Sequence, residues 1–476
     1  MKLIIDSVLR LQDVPADVLK QIKAELTLEN PAYKKKKAMG VPVWGEPKVI
    51  KLWSERDIDG KKEYVLPRGY KERLIEVFAE RSASCVLADN MLKLEPVEFN
   101  SIIELRDYQE PAVSEAIGCG QGAVVMPCGA GKTETALEIV ATIGQPTLWI
   151  THTKDLLKQS MDRAISKLQL KGHQVGVIAA EQFSLGTHIT FATVQTLAKR
   201  DLTEIVNRFG CIVVDEVHHC FQDYTKSRMF ESVVSQFPAY YRYGFTASEH
   251  RSDGLIETMY HVIGPKIYEV TQAQLNSQGN VMVPKVYFIE TGFEYEQPED
   301  EMMNVQQLVK AMREDTKRNR LILDCLNHQR PGDFVLVLGD SLAHLQELLT
   351  TIDCFDELQA VFICGETPKQ KRDKIMEDFR AGRYTYLFAT YALAKEGLDI
   401  PRLNTLILLT PKKDRAIVQQ SVGRIMRPFE GKKQPVVYDF WDSKVKKCVF
   451  WARERAKVYR DLGCVVEGGP RVRGKK

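Results

Sequence analysis

The sequence predicts two consecutive doubly wound α/β domains behind a small N-terminal α+β domain, and three observations carry that prediction. The chain has 476 residues, too many for one hydrophobic core, so two or more domains are required. From about residue 99 onward, short apolar runs rich in β-branched residues alternate with stretches of helical period, the texture of buried parallel strands covered by helices. Residues 1–98 lack that alternation and instead mix short patterns with turn signals such as VPVWGEP and VLPRGY.

The N-terminal region, 1–98, carries a local basic excess. From Pro31 to Arg73 there are twelve Lys/Arg, including Lys34, Lys35, Lys36 and Lys37, against six Asp/Glu. Trp44, Trp53, Tyr64 and Tyr70 are interleaved with them. One reading is a duplex- or junction-recognition domain, with Trp44 or Trp53 stacking on an unpaired base. The other is a small β-rich core holding the aromatics, with the lysine run a solvated loop. Net charge is only +3, so any surface for an anionic polymer is local.

The first α/β series, 99–275, contains the runs GAVVMP, PTLWITH, ITFAT and CIVVDE. The second, 276–445, contains VPKVYFIE, FVLVLGD, LQAVFICG, TYLFAT, TLILLT and PVVYDF. A charged, helical stretch lies between its first two strands and is expected either to be a wedge against a duplex or to pack as part of the domain. A C-terminal helix and basic tail fill 446–476. Ten scattered cysteines without CxxC spacing read as reduced thiols. The N-terminus lacks a signal-peptide core and no stretch reaches the length of a membrane span, so an intracellular, cytoplasmic protein is expected.

The chemistry begins where GAVVM runs into PCGAGKTE. In the loop that starts at Pro127, Gly129 and Gly131 let the backbone curl so that the N–H groups of Cys128, Gly129, Ala130 and Gly131 surround an anion at a helix start. Lys132 is placed for the β- and γ-phosphates of ATP and Thr133 for Mg²⁺, with Glu134 following. Met126 occupies the position where the strict pattern has glycine. In VVDEVHH, the strand ends in Asp215 and Glu216. Asp215 is expected to hold Mg²⁺ through water, and Glu216 to orient and deprotonate the attacking water.

In order along residues 105 to about 440, the motifs resemble those of the superfamily 2 helicases with a DExH box. LRDYQ resembles the adenine-recognition element, with Gln109 reading the base and Arg106 assisting. PCGAGKT and DEVH resemble motifs I and II, with His218 coupling ATP to nucleic acid, and GFTAS resembles motif III through Thr246, Ala247 and Ser248. THTKDLLKQ and ATVQTL resemble the strand-contacting motifs, which implies Thr153, Lys154, Thr193 and Gln195 as phosphate contacts. ATYALAKEGLDIP resembles motif V, implying Thr390, Glu396, Gly397 and Asp399, and QQSVGRIMR resembles motif VI. The resemblance implies two RecA-like domains.

Gln420, Arg424 and Arg427 recur at i, i+4, i+7, one face of a helix. Arg424 and Arg427 are therefore expected as arginine fingers on the γ-phosphate, the alternative being a solvated basic face. Wording close to the XPB-type repair helicases and the phage branch-migration helicases implies an ATP-driven, 3′ to 5′ DNA helicase on forked or Holliday-type DNA, acting as a monomer. Competing readings are a duplex translocase without net unwinding and an RNA helicase.

Overall fold

A computed structural model describes residues 1–58, 60–127, 129–218, 224–247, 256–296, 304–329, 331–352, 360–395, 398 and 400–470, apart from the side chains of 224, 369, 394 and 395. The chain divides into two compact units, one of residues 1–127 and 131–270, the other of 128–130 and 271–476. No helix among the described residues is long and apolar enough to cross a membrane.

In the first unit, the N-terminal sheet runs, edge to edge, through Ser54–Ile58, Lys61–Leu66, Leu9–Gln12, Lys2–Ile5 and Val86–Asp89. Its pairs are antiparallel except the last. In Lys2–Ile5 and Leu9–Gln12 every second side chain is buried, because only one face of this sheet has a core to meet. Helices Ala16–Glu25 and Lys71–Glu80 cover that face through Ile22, Leu74 and Val77.

The large sheet of the same unit runs Gln182–Ser184, Val175–Ala179, Ile189–Thr193, Thr147–Thr151, Cys211–Val214, Tyr241–Thr246, Gln121–Val125, Lys266–Glu269. All its pairs are parallel except that of the Gln182–Ser184 edge. Strands Gln121–Val125, Thr147–Thr151, Ile189–Thr193 and Cys211–Val214 are buried at every residue. Helices on both faces require this, and it explains why these strands read as unbroken apolar runs.

Two buried arginines join the N-terminal sheet to this one. Arg68 donates to Oε1 of Gln121 (2.8 Å) and to the carbonyls of Ala239 (2.5 Å) and Asp6 (3.3 Å). Arg242 donates to the carbonyls of Ser7 (3.0 Å) and Phe237 (3.2 Å). Both side chains are essentially inaccessible, so losing these acceptors costs on the order of several kcal/mol.

The second unit carries a parallel sheet in the order Ala360–Ile363, Tyr386–Thr390, Val335–Gly339, Thr405–Leu408, Val436–Trp441, Lys285–Glu290, Val465–Glu467. The C-terminal helix Lys446–Asp461 packs on it and the strand Val465–Glu467 after that helix pairs with Lys285–Glu290, so both belong to this domain. The charged stretch forms helices Val305–Glu314 and Thr316–Asn327. Their Leu308, Met312, Ile322 and Leu326 are buried in the core, and Arg318 is ion-paired with buried Asp442 at 3.0 Å. This is packing, not a wedge; residues 297–303 and 330 of the stretch lie outside the described residues.

Candidate functional site

Because neighbouring strands of the large sheet run parallel, the carboxyl ends of Gln121–Val125, Tyr241–Thr246 and Cys211–Val214 fall on one edge, the usual binding edge of such sheets. The first leads through Met126 and Pro127 into the phosphate loop. Gly129 and Gly131 have φ of 86° and 76°, conformations costly for any residue with a Cβ. At Gly131 a Cβ would also lie 2.5 Å from Nε2 of Gln109. Gly131 caps helix Lys132–Ile143 without any side-chain cap, which leaves the first amides of the helix available to an anion. Thr133 is half-buried beside Lys132, and Ala130 is buried. Cys128 lies outside the described residues.

Gln109 makes contacts that its motif did not reveal. Its amide donates to the Gly131 carbonyl (3.2 Å) and to Oγ1 of Thr135 (3.0 Å), while its Oε1 accepts from the Arg106 amide (2.9 Å). Both amide hydrogens thus brace the phosphate loop from within the protein. Arg106 donates to the Tyr108 hydroxyl at 2.8 Å. Glu134 pairs with Arg163 of helix Lys154–Lys167 at 3.0 Å.

The carboxylate pair sits at the end of strand Cys211–Val214. Asp215 accepts from Ser160 Oγ at 3.2 Å. Glu216 has φ of 48°, an uncommon backbone for a residue with a Cβ, of the kind found at functional turns. Its Oε1 lies 3.4 Å from Nζ of Lys132 and its Oε2 lies 3.4 Å from Nδ1 of His218. Nδ1 of His218 in turn lies 3.0 Å from Oγ1 of Thr246. A continuous polar chain therefore runs from the phosphate-loop lysine through the DExH carboxylate and histidine to the end of the adjacent strand.

Charge in this corner is unevenly satisfied. Burial, and then the Glu216 carboxylate beside it, push the Asp215 carboxyl above its ordinary value. Burial also raises Glu216, but Lys132 and His218 outweigh it and hold that carboxyl below its ordinary value. A buried carboxylate, Asp215, and a half-buried one, Glu216, beside one lysine leave room for more positive charge, and the donor set suits a magnesium ion bound largely through water. Thr133 and Asp215 are the residues that would hold it.

Of the strand-contact residues, Thr153 spends its hydroxyl capping helix Lys154–Lys167, accepting from the Leu156 amide at 3.2 Å. Lys154 is exposed. Thr193 is buried and bonded to the Thr196 hydroxyl at 2.8 Å, so its side chain is not presented to solvent. Gln195 is exposed and donates to the His152 carbonyl at 3.0 Å. Ser248 lies outside the described residues.

In the second unit, Gln420 and Arg424 lie on helix Arg415–Ile425, and the buried Oε1 of Gln420 accepts no hydrogen bond among the described residues. Arg424 donates from Nη1 to the Leu398 carbonyl at 2.9 Å. The expected i, i+4, i+7 face fails at its last member. The helix ends at Ile425, so Arg427 lies beyond it in a bend. Pro428 supplies the reason, because the residue before a proline is disfavoured in helical conformation. Thr390 closes strand Tyr386–Thr390, half-buried. Glu396, Gly397 and Asp399 lie outside the described residues.

Trp44 is 94% exposed. Trp53 is partly buried, donates to Thr27 Oγ1 (3.0 Å) and has Lys23 and Lys51 over its ring at 4.3 and 5.2 Å. The four lysines that one of the two readings put in a loop occupy helix Pro31–Ala38.

A phosphate loop and a carboxylate pair on adjoining strand ends, followed by a second parallel-sheet unit, give the layout that the helicase-like motifs imply. Family comparisons agree: the description "Type III restriction enzyme, res subunit" matches residues 102–251, and "Helicase conserved C-terminal domain" matches residues 317–428. The chain belongs to the superfamily 2 helicases and is related to their XPB branch. It is 30% identical over 68% of its length to a protein of Acanthamoeba polyphaga mimivirus named as an ATP-dependent RNA helicase, covering 60% of that protein. It is 27% identical over 70% of its length to the XPB/SSL2 subunit of the general transcription and DNA repair factor IIH of Saccharomyces cerevisiae, covering 40% of it. To the DNA 3′-5′ translocase XPB2 of Sulfurisphaera tokodaii it is 26% identical over 68% of its length and 79% of that protein. Among solved structures, yeast Dbp5 bound to RNA and ADP BeF3 shares the fold at a TM-score of 0.57 and 15% identity, covering 77% of this chain and 90% of that one. The chain thus spans about half the length of the first two curated relatives.

Proposed function

We propose that this protein is an ATP-dependent DNA helicase that moves 3′ to 5′ and unwinds and branch-migrates forked or Holliday-type DNA, acting as a monomer in the cytoplasm. The observation that carries the ATP-driven part is the chain Lys132–Glu216–His218–Thr246. Lys132 is drawn from Glu216 to the β- and γ-phosphates of an incoming ATP. Glu216, so released, accepts a proton from the attacking water as the γ-phosphorus–oxygen bond to ADP breaks. Magnesium, when bound, neutralises phosphate charge. Arg424 and Arg427 of the second unit stabilise the transferring phosphoryl group. The altered partnership of Glu216 is felt by His218 and Thr246, the route by which nucleotide state reaches a DNA strand. Contacts of Lys154, Gln195 and Thr390 with phosphates carry no base information, so tracking is independent of sequence.

The N-terminal domain is the element that selects branched DNA in this reading. Trp44 supports it better than Trp53, whose ring faces are occupied by lysines. Between this domain and helix Tyr224–Val234, a partly apolar groove of about 610 Å³ is lined by Lys48, Lys51, Trp53, Arg228 and Glu231 among others; Arg228 is paired with Glu231 at 3.3 Å, and the two lysines are the groups suited to a phosphate backbone. Deleting the domain is a poor test, since it strips Arg242 and Gln121 of buried partners. Trp44→Ala is the cleaner one: fork affinity falls by about 5- to 100-fold, the worth of one stacked base, while linear-duplex affinity is kept. Equal loss on both substrates removes the assignment.

Strand displacement on forked, Holliday and tailed substrates, with ATPase rates in the presence of DNA, RNA or neither, tests the whole reading. ATP-dependent movement on duplex DNA without strand separation would favour a pure translocase, the activity in the name of the Sulfurisphaera tokodaii relative. Stimulation by RNA alone would favour the activity named for the mimivirus relative.

A further inference from the structure

Arg427 lies outside its helix, so something other than helical geometry must fix it. The second unit supplies one candidate. Nζ of Lys432 donates to the carbonyl of Arg427 itself (2.6 Å) and to the carbonyl of Pro401 (3.0 Å). One ammonium group thus ties the turn after the motif VI helix to the exit of the motif V segment. Arg424 reaches the same segment two residues before Ile400, through its bond to the Leu398 carbonyl at 2.9 Å. Arg402, just past Pro401, lies 4.8 Å from the ring of Phe334 and 5.3 Å from that of Phe429, again joining the two segments. Lys432 is half-buried, and an ammonium group buried against two carbonyls is held in one place where a surface lysine would sample many.

We propose that Lys432 is a positioning residue for Arg427, locking the main chain of the finger residue to that of Pro401 so that its guanidinium is presented in one orientation. The proposal rests on the assignment of Arg427 as a finger and names what holds it. Burial, and then the Arg427 charge, lowers the Lys432 ammonium to about 7, so its charged form holds the two carbonyls below that pH and is lost above it.

Preorganisation of a finger affects turnover more than substrate binding. Lys432→Met is therefore expected to lower DNA-saturated kcat about 10- to 100-fold while the ATP dissociation constant stays within about threefold. Lys433→Met, which removes the neighbouring contacts with Asp333 and the Pro331 carbonyl, leaves kcat unchanged. Lys432→Arg keeps the charge and recovers part of the rate; it serves as the working variant if thermal unfolding shows that Lys432→Met does not fold. The decisive arm is epistasis. In an Arg427→Ala background, a Lys432 substitution should cost nothing further. An equal, additive loss in that background overturns the positioning role and leaves the finger standing. If Arg427→Ala hydrolyses ATP at the wild-type rate, the finger assignment fails, and the positioning role fails with it.

Discussion

The two α/β units hold their charged groups by different means. In the first unit, Lys132, Glu216, His218 and Thr246 contact one another side chain to side chain, each at 3.0–3.4 Å, and each stands at or just beyond the end of a strand or the start of a helix. In the second unit, Arg424 and Lys432 reach backbone carbonyls, and Arg427 stands on no regular element. The first arrangement is a preassembled acid–base chain whose members sense one another's charge. The second is a set of cations fastened to the main chain. Buried arginines elsewhere vary as well: Arg68 and Arg242 are met by carbonyls and an amide, whereas Arg455 is bidentate on buried Asp439 at 2.7 Å.

The largest effect that separates the two arrangements is on Arg427. Arg427→Ala should reduce DNA-stimulated kcat by about 10³- to 10⁵-fold, the range of a lost arginine finger, as read by steady-state phosphate release. A loss below tenfold would leave the cations of the second unit as structural ties and break the comparison. Next comes Glu216→Gln, which removes the base but keeps the shape. Turnover should fall by about 10²- to 10⁴-fold while ATP still binds, giving a trapped complex with DNA visible in a filter or mobility-shift assay. Wild-type turnover in this variant would strip Glu216 of its role. The smallest is Thr246→Val, which cuts the far end of the chain at His218. Removal of one buried hydrogen bond of about 1 kcal/mol should lower stimulation of ATPase by DNA about fivefold and leave DNA-independent hydrolysis near its original rate. If basal and stimulated rates fall together, the chain serves stability and not coupling.

The same contrast explains what the sequence disclosed. Every one of the ten apolar runs became a strand of a largely parallel sheet; where the strand is buried at every residue, as in Ile189–Thr193 and Val335–Gly339, burial on both faces writes itself locally as an unbroken apolar segment. The short edge strand Gln182–Ser184, exposed along its length, has no such signature. In the first unit, the spacing of Gly129, Gly131, Lys132, Asp215 and Glu216 was legible because strand ends fix those side chains over a few residues. The bracing of Gly131 by Gln109, 22 residues away, and the seating of Asp215 against Ser160 required the folded chain. In the second unit, Pro428 was a readable stop that limits the helical face of Gln420, Arg424 and Arg427. The lysine that replaces helical geometry is identifiable only from its contact with the Pro401 carbonyl, 31 residues distant.

The division of labour between cradle and finger is tested most directly by measuring ATP affinity and single-turnover hydrolysis side by side in Lys132→Ala and Arg427→Ala. Lys132→Ala should lose affinity and hydrolysis together. Arg427→Ala should bind ATP within about threefold of wild type while hydrolysis falls by about three orders of magnitude or more. Wild-type hydrolysis by Arg427→Ala, or an affinity loss as deep as that of Lys132→Ala, would contradict the account.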